Sequence, residues 1–184
     1  MIKSINSHIT ASKYIYNLIK HNQDNPPKIK YSDEYYKGPS GEDVPLRIFH
    51  PKKEKKLSVI IFPGASPFAE EHPGMINLAS IIAKLGYKVF IPRITPLKNL
   101  DITDVNAEWF ANAYEKISKR DDIDSTCIAI TGISFGGSLL LNSMLDNRMK
   151  TPHPKSLMIY GAAFNLNRGF EFLLNGEITH NNET

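Results

Sequence analysis

Four short runs of nearly unbroken apolar residues, at 57–62, 87–91, 127–131 and 156–160, constrain this chain more than any other feature. Each is too short for a helix and too apolar for a strand with one wet face. Each is therefore expected as a strand buried on both sides, as in a parallel sheet covered by helices. Between them lie patterns of helical period: Met75, Leu78, Ala79, Ile82 and Leu85, ending at Gly86; then Val105, Trp109, Phe110, Ala113 and Ile117; then Leu140, Leu141, Met144 and Leu145. The alternation predicts an α/β fold, a mostly parallel twisted sheet with right-handed crossovers and helices on both faces. Upstream, residues 28–36 and 44–49 are strand-like around Gly38-Pro39-Ser40-Gly41, which predicts an antiparallel hairpin. Ahead of them, Ile9, Ile15, Leu18 and Ile19 fall roughly on one side of a helix over residues 8–20, ended by Asn25-Pro26-Pro27. That helix is expected to cap the domain's edge.

At 184 residues, 41% of them hydrophobic, the chain has the size of one domain with a real core. Residues 1–27 read as an N-terminal helix and linker, and 28–184 as the domain. A net charge of +3, from 22 basic and 19 acidic residues mixed along the chain, argues against a nucleic-acid partner. The densest basic run, Lys52-Lys53-Glu54-Lys55-Lys56, falls between two strand-like segments and is expected as a solvated turn. The single cysteine, Cys127, excludes an intrachain disulfide and is expected to behave as a small hydrophobe at the start of a strand. The first residues lack the apolar core of a signal peptide, and nowhere do about 18 apolar residues run together. A cytoplasmic protein without a membrane span is expected, so the sequon Asn182-Glu183-Thr184 is expected to go unused.

The third apolar run leads directly into Thr131-Gly132-Ile133-Ser134-Phe135-Gly136-Gly137, and Leu139-Leu140-Leu141 follows. This is a strand, a tight turn and a helix. A serine hydroxyl becomes a nucleophile when held exposed at a fixed angle beside a base, and a G-x-S-x-G elbow does this; Gly132 and Gly136 stand where strand and helix approach most closely. The competing reading is an ordinary glycine-rich turn with Ser134 as an N-cap. A second motif, Phe62-Pro63-Gly64-Ala65-Ser66-Pro67, ends the first apolar run. Parallel strands place their C-terminal ends at one edge, so both loops are expected to face one crevice. There the backbone N–H of Ala65 could meet an oxyanion together with that of Phe135 at a helix start, although Pro-Gly after a strand is also a common turn.

On the elbow, the Pro63-Gly64-Ala65 loop and the strand order around them, the sequence resembles the α/β-hydrolase family, in its serine esterase and lipase form, over roughly residues 28–165. The resemblance implies an incomplete domain lacking the last two strands. It implies Ser134 as nucleophile, Ala65 and Phe135 as oxyanion-hole donors, a small-molecule acyl substrate such as a carboxylic ester, and no cofactor or metal. Pro63 stands where that family frequently has His. The family's acid follows its sixth or seventh strand and its His the last. After residue 160 this chain reads Gly161-Ala162-Ala163-Phe164-Asn165-Leu166-Asn167-Arg168-Gly169, and only Glu171, Glu177, Glu183 and His180 follow as acids or His.

Upstream, His72 and His153 read as loop residues and Asp146 as a surface acid of the helix after Ser134. Neither His-Glu-x-x-His nor a phosphate-binding G-x-x-x-x-G-K-[ST] occurs. A serine deprived of its base retains only about 10³ to 10⁴ over water, so the 184-residue chain taken alone is expected to be a poor enzyme. Two functions are open: a truncated serine hydrolase, or a non-catalytic binding module of the same fold. Phe62, Phe68 and Phe135 are open to lining the crevice or to packing in the core.

Overall fold

A computed structural model of the chain describes residues 2–103, 106–162 and 166–176. The hairpin forms as expected, with β1 (Lys30–Lys37) antiparallel to β2 (Asp43–His50) and Tyr36 opposite Val44. The apolar runs become β3 (Ser58–Phe62), β4 (Lys88–Pro92), β5 (Ile128–Ile133) and β6 (Ser156–Tyr160). In space the order is β1-β2-β4-β3-β5-β6, with β2 antiparallel to β4 and the last four strands mutually parallel. The helices α1 (Ile2–Lys20), α2 (Pro73–Lys84), α3 (Thr95–Lys98), α4 (Ala107–Ser118), α5 (Phe135–Ser143) and α6 (Leu166–Asn175) complete the described elements. Of the residues predicted for α4, Val105 lies outside the described residues.

Alternation along β3 divides the core in two. Ile60 and Phe62 join Phe110 and Tyr114 of α4 and Leu139 and Leu140 of α5 on one face. Ile61 joins Met75, Ala79 and Ala83 of α2 and Val89 and Ile91 of β4 on the other. Phe62 stacks on Phe110 at 5.0 Å between ring centroids, so it is a core residue and lines no crevice. Burying a side chain of this size is worth about 1.5–3 kcal/mol. The continuous apolar runs of β3, β4 and β5 are thereby explained, since both of their faces are covered.

Two expectations fail for the same reason. β6 has the apolar sequence of an inner strand but lies at the sheet edge, with Leu157 37%, Met158 51% and Tyr160 70% exposed. In α1, Ile9, Ile15, Leu18 and Ile19 are all exposed, while Thr10, Tyr14 and Asn17 turn inward at helical spacing. Tyr14 shares a groove with Leu57, Val59, Ile82, Leu85 and Tyr87. An apolar stripe shows which residues can be buried together; the neighbours decide which are.

Candidate active site

β5 delivers the chain to Ser134, whose backbone adopts φ 52° and ψ −135°. A non-glycine residue at positive φ costs about 1–2 kcal/mol and persists only where its surroundings enforce it. Here the Ser134 N–H donates to the Tyr160 carbonyl at 2.8 Å, and its carbonyl accepts from the Gly137 N–H at 2.8 Å. The edge strand β6 therefore helps to hold the turn. Ser134 is exposed, and its hydroxyl makes no capping hydrogen bond to α5. Ser134 thus occupies the N-cap position of α5 without a side-chain cap.

The turn is closed by two contacts that only glycine permits. A Cβ on Gly132 would stand 2.6 Å from the Gly137 Cα, and one on Gly136 would stand 2.0 Å from the Pro63 carbonyl oxygen. The second contact brings the 63–67 loop against the start of α5. Gly64 lies so near the serine that a Cβ there would be 3.1 Å from Ser134 Cβ and 3.7 Å from its Oγ. Ala65 and Phe135 are half-buried and pack on the larger core cluster. Among the described residues, the Ala65 N–H donates to no backbone carbonyl. Phe68, three residues after Ala65, is exposed.

The loop is tied down beyond Ala65. The Ser66 N–H donates to the Leu97 carbonyl at 3.2 Å, and its carbonyl accepts from Ala69 at 3.0 Å. Ala69 has φ 46° and begins a 3₁₀ turn, Ala69–Glu71. Glu70 is buried, and its carboxylate takes a forked pair of hydrogen bonds from Arg93, with Nε to Oε2 at 2.9 Å and Nη2 also bound to Oε1. Arg93 in turn donates its N–H to the Pro45 carbonyl at 3.0 Å and accepts at its own carbonyl from the Tyr36 hydroxyl at 2.6 Å. The hydrogen bonds it donates to Glu70 raise the Arg93 guanidinium above its ordinary range, against the effect of burial. Burial pushes the Tyr36 phenol well above its ordinary value, and the nearby charges of Glu42 and Glu70 add to the rise. The sequence reading did not find Glu70 and Arg93. The available signal was an arginine directly after a buried strand and a carboxylate in the loop that returns to the same sheet edge.

The remaining titratable residues are engaged elsewhere. His72 caps α2, its Nδ1 accepting from the Gly74 N–H at 3.1 Å, and His153 Nδ1 lies 3.0 Å from the Pro154 carbonyl. Asp146 is not in the helix after Ser134, which ends at Ser143. It caps the 3₁₀ turn Asn147–Met149 by accepting from the Arg148 N–H at 2.9 Å, and its carboxylate pairs with the Arg148 side chain at 2.6 Å. That hydrogen bonding holds its carboxyl below the usual carboxylate range. Glu171 is exposed on α6. Among the described residues no His or carboxylate is hydrogen-bonded to Ser134 Oγ. Glu177, His180, Glu183 and the sequon lie outside the described residues. Among the described residues no helix is long and apolar enough to cross a membrane.

No protein-family model and no curated protein sequence matches the chain. Solved structures do match. A hyperthermophilic esterase from the archaeon Pyrobaculum calidifontis superposes with a TM-score of 0.60 at 20% identity, over 90% of this chain and 53% of its own. A hypothetical protein from Pseudomonas aeruginosa gives 0.61 at 18%, over 84% and 49%. EstE1, a thermostable carboxylesterase cloned from a metagenomic library, gives 0.58 at 18%, over 90% and 56%. The chain thus spans about half the length of the solved structures it matches. Strand order, crossovers and these superpositions agree that the chain has an α/β-hydrolase-like fold over most of its length.

Proposed function

We propose that the chain is the N-terminal part of a serine hydrolase acting on carboxylic esters or related acyl compounds, with Ser134 as the nucleophile. The observation that carries this reading is the packing of the 63–67 loop against a strained, exposed serine at a strand-to-helix turn. In the proposed reaction Ser134 Oγ attacks the acyl carbon while a base removes its proton. The amides of Ala65 and Phe135 hold the oxyanion, the alcohol leaves with a proton, and water releases the acid. The base and its supporting acid come from polypeptide outside the described residues. Two features support this: no described His or carboxylate reaches Ser134 by a hydrogen bond, and the chain covers only 53% and 56% of the length of two matched esterases.

The test is hydrolysis of p-nitrophenyl butyrate by the protein expressed from its complete reading frame. Ser134→Ala should lower kcat by about 10⁴-fold or more, and equal rates for the two proteins would refute the assignment. That no described His or carboxylate is hydrogen-bonded to Ser134 also favours a second reading, a non-catalytic binding module of the same fold. A reading frame that continues past codon 184 with further strands, an Asp and a His would defeat it.

A further inference from the structure

We propose that Glu70 and Arg93 are positioning residues that hold the 63–67 loop, and with it the Ala65 N–H, in register with Ser134. This rests on the reading of Ser134 as nucleophile and adds the device that sets the oxyanion geometry. The loop leaves β3 and must reach α2 across the mouth of the sheet. At its start it is pinned by the Pro63 carbonyl lying on Gly136. Its middle is pinned by the hydrogen bond from Ser66 to Leu97. Its far end pairs with no described strand, and there the buried Glu70 carboxylate is gripped by the Arg93 fork. Arg93 follows β4 directly and is bound through its own backbone to Pro45 of β2 and Tyr36 of β1. Glu70 therefore ties the loop to three strands through one side chain.

A planar guanidinium holding a carboxylate at two points fixes orientation as well as distance, which an ammonium cannot do. The strained φ of Ala69, beside Glu70, is the backbone cost of turning the carboxylate inward. Glu70 is buried and the Arg93 guanidinium is engaged by it, so the proposed effect on the reaction is through the loop. Loss of the fork should misplace the amide donor by a fraction of an ångström to an ångström. Such a displacement is felt in the transition state more than in substrate binding.

The experiment is steady-state hydrolysis of p-nitrophenyl butyrate by the protein from its complete reading frame, with circular dichroism recorded at the assay temperature for every variant. Glu70→Gln and Arg93→Gln should lower kcat about 10- to 100-fold with KM nearly unchanged. Arg93→Lys, which keeps the charge but not the fork, should retain more of kcat than Arg93→Gln. Arg148→Gln, which breaks the surface pair with Asp146, should leave kcat as it is. Folded Glu70→Gln and Arg93→Lys proteins with wild-type kcat would overturn the proposal even if their melting temperatures fall, because a merely structural pair would move only stability. A Ser134→Ala protein as active as the wild type would instead remove the reading on which the proposal rests.

Discussion

A Cβ on Gly136 would stand 2.0 Å from the Pro63 carbonyl oxygen. The obstacle is backbone, so no rotamer change relieves it, and either α5 or the 63–67 loop must shift. Gly136→Ala should therefore destabilise the fold by about 1–3 kcal/mol and displace the loop. Gly41 offers the control: it has φ 87° and nothing near its missing Cβ, so Gly41→Ala should show only the backbone cost of about 1–2 kcal/mol. Urea midpoints give both stabilities. Only Gly136→Ala should also slow ester hydrolysis.

Tyr114 is fully buried, and its hydroxyl donates to the Pro152 carbonyl at 2.6 Å, linking α4 to the turn before β6. Tyr114→Phe leaves that carbonyl without its partner and should cost about 1–3 kcal/mol. Burial pushes the phenol from its ordinary 10 up to about 12. In the unfolded chain the phenol ionises near pH 10, while the folded protein keeps its proton until about 12. The stability it contributes is thus complete below pH 10 and falls as pH rises from 10 to 12. Urea midpoints for wild type and Tyr114→Phe should differ by a constant amount up to pH 10 and converge above it.

Among the described residues no strand pairs with the outer side of β6, and Leu157, Met158 and Tyr160 are exposed there, a template for association. The 184-residue chain should self-associate as its concentration rises, as seen by light scattering on a sizing column. Met158→Lys and Tyr160→Lys should shift it toward monomer with little change in thermal midpoint, since neither side chain is buried. Equal association of all three proteins would show that another surface is responsible.

The tight strand-to-helix turn at Ser134 was legible because its glycines answer a local steric demand: a Cβ on Gly132 or Gly136 would collide with backbone where β5 turns back into α5. The parallel core was legible because β3, β4 and β5 are covered on both faces. Burial at β6 was misread, since its sequence matches an inner strand and nothing local reports that it lies at the edge of the described sheet. The α1 stripe failed likewise: Ile9, Ile15, Leu18 and Ile19 form a face, yet the groove beside Leu57 and Tyr87 receives Thr10 and Tyr14. Asp146 was placed on a helix that ends earlier, because its carboxylate competes for backbone N–H groups and caps the next turn. Glu70 and Arg93 were invisible because they pair across 23 positions, and no periodicity records such a meeting.

The central claim is that Ser134 is an acyl-transfer nucleophile, and a fluorophosphonate tests it most directly. The protein from its complete reading frame should gain the mass of one phosphonyl group, mapped by peptide sequencing to Ser134, and Ser134→Ala should gain none. A wild-type protein left unlabelled, or a Ser134→Ala protein labelled equally, would contradict the account.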